Sequence, residues 1–283
     1  MKKLILALAA VLALASCAKP VTHCVNPLTY TDIPDNDVIR VGKDYYMVST
    51  TMYFCPGAPI MHSKDLVHWE IISYIYDYLA DDDIYNLQNG RNAYGKGQWA
   101  TSLRYVDGTY YALFIANDQR KTYVYYTDDI TKSYWKRNVI DRPFHDASLL
   151  FEDGHVYVVW GNGDLRITEL KPDLTGVLEG GVDQLLISAP RQGINLRAEG
   201  AHIYHIGDYY YVLEIDWPRG GVRTETCWRS KELLGEYESK VVLQGKFDGR
   251  NDGVAQGAIF DTPKGESKTS TKRPRTRPWP RIS

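Results

Sequence analysis

Cysteine is scarce and unpatterned. The four cysteines, Cys17, Cys24, Cys55 and Cys227, form no C-x-x-C pair, which excludes a zinc ribbon or a thioredoxin-type redox motif. Charge of one sign is also lacking. The formal net charge is −2, a balance that argues against nucleic acid or another polyanion as partner. Beyond Leu4–Leu14 there is no long apolar run, and that one is too short to cross a bilayer. No long segment carries a helical period of apolar residues, which leaves an all-β chain. Aromatic residues are what the chain does have, with 22 Tyr and 7 Trp. They suit pleated strands, and they also suit a surface that stacks on the C–H faces of sugars.

The N-terminus reads as an export signal. Lys2 and Lys3 precede the apolar run, and Leu14-Ala15-Ser16-Cys17 has the form of a bacterial lipobox. The expectation is a signal over residues 1–17, lipidation at Cys17, and a linker over 18–25. The protein would then be held to a membrane of the cell envelope, periplasmic or outer-membrane, by its lipid anchor. The other three cysteines permit one disulfide or three thiols, and three thiols is the plainer reading.

The body of the chain repeats. "VIRVGKDYYMVST", "LRYVDGTYYALFIAN", "LLFEDGHVYVVWG" and "AHIYHIGDYYYVLE" each read apolar run, Gly-containing turn, aromatic run, the pattern of a β-hairpin. A second phrase follows three of them: "MHSKDLVHWEII", "YYTDDITKSYWKRNVI" and "CWRSKELLGEYESKVVL". Taking Tyr46, Tyr111, Tyr157 and Tyr210 as the ruler, successive steps are 65, 46 and 53 residues. That spacing predicts a β-propeller of four-stranded blades. A β-sandwich also has many short strands, but it has no such repeat.

Three acids share one register ahead of the repeat. Asp35, Asp146 and Glu199 each stand 11 residues before their ruler tyrosine. The innermost strand of a blade runs along the channel, so acids at its start ring one mouth. The same register in the second unit is Ala100, beside Trp99, which makes Trp99 a candidate sugar wall. His202, three residues after Glu199, is a candidate to orient a group in the site. A carboxylate cluster of this kind is what acid–base hydrolysis of a glycosidic bond uses.

A fifth unit starts at "VAQGAIFDTPKGE" and then breaks. Lys268 stands where the ruler aromatic belongs, and "SKTSTKRPRTRPWPRIS" is nearly free of apolar residues. A segment of that composition buries too little surface to order itself. The expectation is therefore a five-bladed propeller over 26–266 with an incomplete fifth blade. Residues 267–283 would be a basic, disordered or aberrant tail, as from truncation or a frameshift.

Together these stretches resemble glycoside hydrolase family 43, the bacterial β-xylosidase and α-L-arabinofuranosidase type. The resemblance rests on "PDNDVIRVGKDYYMVST", "HSKDLVHWE", "WATSLRYVDGTYYALF", "HDASLLFEDGHVYVVWG", "EGAHIYHIGDYYYVLE" and "QGAIFDTPKGE". It implies an enzyme that removes terminal xylose or arabinofuranose with inversion. Asp35 would be the general base, Glu199 the general acid, and Asp146 the acid that raises its partner's pKa and helps hold the sugar. It implies no required cofactor. Many members carry a His that helps hold a channel metal, where this chain has Ala255, which speaks against a structural calcium. The partner implied is an oligosaccharide or polysaccharide.

Overall fold

A computed structural model of the protein describes residues 28–189, 192–245 and 256–263, together with the backbone of 267–269. The export signal, Cys17, Cys24, the 18–25 linker, Ala255 and residues 270–283 lie outside the described residues. Among the described residues Cys55 and Cys227 are free thiols.

Strands dominate, and they fall into successive four-stranded meanders. The first sheet is β1 (Asp37–Val41), β2 (Asp44–Val48), β3 (Gly57–Ser63) and β4 (Glu70–Tyr76). A one-turn helix, α1 (Asp83–Asn86), leads to the second sheet: β5 (Gln98–Val106), β6 (Thr109–Ala116), β7 (Lys121–Thr127) and β8 (Lys136–Ile140). The third is β9 (Ser148–Glu152), β10 (His155–Asn162), β11 (Asp164–Leu170) and β12 (Asp183–Ile187). The fourth is β13 (Ile194–Ile206), β14 (Tyr209–Pro218), β15 (Thr224–Ser230) and β16 (Glu238–Gln244). These are four blades of a propeller. The hairpins follow from their turns: Val106 pairs with Thr109 across Asp107-Gly108, and Asp44 with Val41 across Gly42-Lys43. The second repeated phrase builds the turn after each third strand. Ser63 Oγ accepts the Leu66 N–H, and Ser230 Oγ accepts that of Glu232, so short side chains replace missing backbone partners.

A further two-stranded sheet pairs β17 (Ile259–Asp261) with β18 (Ser267–Thr269). The sequence reading ended the folded part at residue 266, but the basic segment contributes this short strand. Backbone pairing is indifferent to side-chain polarity at a sheet edge, so Lys268 can stand opposite Phe260 where an aromatic was expected.

Apolar clusters lie between neighbouring sheets. Val48, Ile60, Leu103 and Phe114 join the first and second, Leu113, Phe144 and Leu149 the second and third, and Val159, Ile167, Ile203 and Val212 the third and fourth. Phe260 packs with Val38, Tyr45, Met47 and Met61, which ties β17 to the first blade.

The inner strands are joined by a belt of buried polar contacts. Asp37, fully buried, accepts from Leu103 N at 2.8 Å and from Arg104 Nη1 at 2.7 Å. Arg104 goes on to Leu149 O at 2.9 Å and Ser148 Oγ at 2.6 Å, and Ile203 N donates to the same Ser148 Oγ at 3.1 Å. Every charge in the belt is paired, as burial demands.

Candidate active site

Asp35 and Asp146 each stand two residues before the first residue of an inner strand, β1 and β9. Both take a left-handed backbone, with φ of 50° and 45°. Such a backbone is uncommon for a residue with a side chain and persists only where the surroundings impose it. For Asp35 the imposing contacts are Ser49 Oγ, 2.7 Å from Pro34 O, and Thr50 N, 3.2 Å from the same oxygen. Glu199 differs from the sequence expectation in one respect. It lies inside β13 rather than at its start, because that strand begins early and carries register shifts on both sides of Glu199. The bulges let its side chain still reach the mouth of the channel.

Asp146 and Glu199 come together with His145, and Asp35 lies near enough for its charge to act on Asp146 and for that of Glu199 to act on it. Donor atoms of His145, Asp146 and Glu199 all lie within 4.8 Å of one another. His145 Nε2 is 3.3 Å from Glu199 Oε2 and 3.7 Å from Asp146 Oδ2. Asn162 Nδ2 donates to Glu199 Oε2 at 2.6 Å, and Gln256 Nε2 donates to Asp146 Oδ2 at 3.1 Å. Those donors already hold the inward oxygens, so the set is built for proton chemistry rather than as a cage for a cation. In the channel belt Asp37 Oδ2 is already taken by Leu103 N and Arg104 Nη1.

The electrostatics favour protonation. Burial pushes the Asp146 carboxyl up to about 7, and the negative charges of Glu199 and Asp35 add to the rise while His145 opposes it. Asp35 is raised too, first by burial and then by Glu199, while Thr50 and the Arg223 guanidinium pull the other way. His145 is raised, chiefly through its hydrogen bond to Glu199. Two or more carboxylates crowded away from water cannot all ionise freely, and this pushes their protonation apart.

Trp99 stands at the same end of its inner strand, half-buried, with a buried Nε1–H that lacks a protein partner. Arg223 acts on Asp35, and its buried Nε also lacks a protein acceptor, while its guanidinium lies 5.6 Å from the Trp217 ring centre. His202 is elsewhere. It is buried in the channel belt, 3.6 Å from Asp37 and stacked on Tyr204, and burial keeps its pKa down. That corrects its candidacy to orient a group in the site: three residues along a bulged strand carry the side chain into the core.

The sequence reading missed His145, Asn162, Gln256 and Arg223. His145 adjoins Asp146, and Asn162 lies between two glycines, which is a turn signal. Nothing local marks Arg223. A cavity of about 350 Å³ opens at the other mouth, between Arg40, Tyr105, Phe151, His205 and Phe260. Its carboxylate, Asp261, is held by Arg40, so no free acid faces that space.

Known proteins resemble this chain in sequence and fold. The chain matches Glycosyl hydrolases family 43 over residues 24–277, past the boundary expected at 266. It is 33% identical over 222 residues to the non-reducing end alpha-L-arabinofuranosidase BoGH43B of Bacteroides ovatus, covering 77% of this chain and 40% of that protein. It is 28% identical to a beta-xylosidase of Formosa agariphila, covering 84% of this chain and 44% of that protein. A solved bifunctional GH43-CE protein of Bacteroides eggerthii superposes with a TM-score of 0.81 at 43% identity, over 87% of this chain and 32% of that one. The chain thus spans less than half the length of these relatives. With the propeller and a family match that covers nearly the whole described structure in agreement, the protein belongs to glycosyl hydrolases family 43.

Proposed function

We propose that the protein is a glycoside hydrolase that removes terminal pentose, arabinofuranose or xylose, from plant-type oligosaccharides or polysaccharides with inversion. The observation that carries this reading is the convergence of Asp35, Asp146 and Glu199 at one mouth, with Asp146 raised to about 7 by burial. Glu199 gives its proton to the leaving oxygen. Asp35 takes a proton from a water on the opposite face of the sugar ring, and Arg223 helps keep it ionised. Asp146 helps hold the sugar; with its own carboxyl raised to about 7 by burial, it supplies the charge that raises its partner's pKa only where it ionises, which narrows the tuning role the resemblance implied. Trp99 walls the sugar. The names of the two relatives above, an arabinofuranosidase and a xylosidase, support the pentose.

In the same reading β17 and β18 begin a fifth blade that closes the ring between the fourth and the first. The lipobox sequence supports a location at the cell envelope, on a lipid anchor through Cys17.

The test is an activity assay on aryl and disaccharide pentosides, with proton NMR of the first sugar released. The expected result is a product anomer opposite to the substrate's. Glu199→Gln is expected to lower kcat on unactivated substrates about 100-fold or more, the scale of general acid catalysis. Retention of configuration, or full activity in Glu199→Gln, would overturn the reading.

A further inference from the structure

Glu199 presents two unequal oxygens. Oε2 receives Asn162 Nδ2 at 2.6 Å and faces His145 Nε2 at 3.3 Å. With His145 protonated, as its raised pKa favours, Oε2 accepts two N–H groups, and such an oxygen is a poor place for a proton. The acid's proton therefore belongs on Oε1, the oxygen that Asn162 and His145 do not hold. From this geometry we infer that Asn162 and His145 are positioning residues: they fix the proton of Glu199 on Oε1 and stabilise the carboxylate left when it departs. The inference rests on the glycosidase reading and names how its acid is held.

The local backbone is shaped for this. Asn162 ends β10 at the apex of the β10–β11 hairpin, paired with Asp164 across Gly163. Both sides of the apex are anchored to the segments that carry the other members. Gly161 N donates to His145 O at 3.0 Å, and Gly163 N donates to Ala198 O, next to Glu199, at 2.8 Å. A Cβ on Gly161 would lie 2.3 Å from Asp164 O, so only glycine permits so tight an apex. The hairpin is thereby fixed to His145 on one side and to the Glu199 strand on the other. Asn162 has little freedom to leave Oε2. His145 keeps about a third of its side chain exposed (30%), so it reaches both the acid and solvent.

The chemistry follows from where charge develops. In this reading the acid carries its proton before transfer, and donors on Oε2 gain little from the neutral group. As Oε1–H passes to the glycosidic oxygen, the bond from that oxygen to the anomeric carbon breaks and its electron pair stays with the leaving group. The carboxylate negative charge then spreads to Oε2, where both N–H bonds strengthen. Bonds that tighten only in the transition state raise kcat rather than affinity. The proton that Asp35 takes from the attacking water returns to solvent, and Glu199 recovers one from solvent, so the cycle balances.

The experiment uses the full chain and two substrates of the same pentose. One carries a dinitrophenol leaving group that needs no proton, and the other a sugar leaving group that does. Asn162→Ala and His145→Ala are expected to lower kcat on the sugar substrate about 10- to 100-fold with little change in KM, the scale of one lost donor to a developing charge. Dinitrophenyl turnover should stay within about threefold of wild type, as no charge then develops on Glu199. His145→Gln, which keeps an N–H, should recover part of the loss. Equal losses on both substrates would show a merely structural role and overturn the inference, as would no loss on either. Glu199→Gln separates the two claims. If it too spares only the dinitrophenyl substrate, the acid assignment stands and the alanine variants judge the inference alone. A wild type inactive on both substrates would remove both.

Discussion

Gly200 follows Glu199 with φ of 70°, and a Cβ there would come within 2.4 Å of Gln256 Cγ. The contact matters because Gln256 is the amide that holds Asp146. Gly200→Ala is expected to push Gln256 off Asp146 and to strain a left-handed backbone, at about 1–3 kcal/mol of stability. Activity should fall further than that loss alone explains, about tenfold or more if Gln256 is as important to the acid set as a typical hydrogen bond to a charged group. Parallel thermal melts and kcat/KM at a temperature where the variant is folded check this. Unchanged activity in the folded variant would show that Gln256 does not matter to the acids. The acids themselves are legible in the sequence because a repeat carries them at a fixed distance from its tyrosines. Their partners are not, because the contacts span long separations: 110 residues for Gln256 to Asp146 and 37 for Asn162 to Glu199. His202 misleads for a related reason, since nothing local reveals the bulges that turn it inward.

At the scale of a strand, β14 and β15 hold two acids that the catalytic reading does not use. Glu214 and Glu225 are 2% and 1% exposed. Burial raises their carboxyls to about 7 and about 8, and Glu214 adds to the rise of Glu225. Glu214 accepts from Trp228 Nε1 at 3.2 Å, while one oxygen of each acid has no hydrogen-bond partner. Both bind a proton more tightly in the fold than in the unfolded chain, where the ordinary value is about 4.3. Their contribution to stability is therefore whole below about pH 4 and erodes as pH rises through 7 and 8. Melting temperature is expected to fall between about pH 4 and pH 8. Glu225→Gln should flatten that fall and raise the melting point at pH 9 by several degrees, as differential scanning calorimetry across pH would show. An unchanged slope over that range in the variant would remove Glu225 as its cause. The hairpins of these strands were readable from Gly and Asp-Gly turns. The burial of "TETCW" was not, because in a stacked blade both faces of a strand are covered and alternation no longer separates inside from outside.

At the scale of the whole molecule, the acids come from different parts of the ring, so their spacing depends on how its sheets are held. Asp35 precedes β1, Asp146 precedes β9, Glu199 lies in β13, and Gln256 leads into β17. The link from β17 back to β1 is made by few groups: Phe260, 9% exposed and edge-on to Tyr45 with ring centres 5.9 Å apart, and Arg40, whose Nε donates to Asp261 at 2.9 Å. The ion pair is partly in water and contributes little. Phe260 is the anchor, and Phe260→Ala is expected to cost about 3–5 kcal/mol. Because Gln256 and Asp35 sit on the two sides of that link, activity should drop along with stability. Phe114→Ala, buried between the first and second sheets, supplies the comparison, with a similar cost in stability but no direct pull on the acid set. Urea denaturation gives the stability of each variant, and kcat/KM at a temperature where both are folded gives the activity. A larger activity loss for Phe260→Ala is expected. Equal losses would mean that the acid geometry does not depend on this link, and that the four complete blades hold it alone.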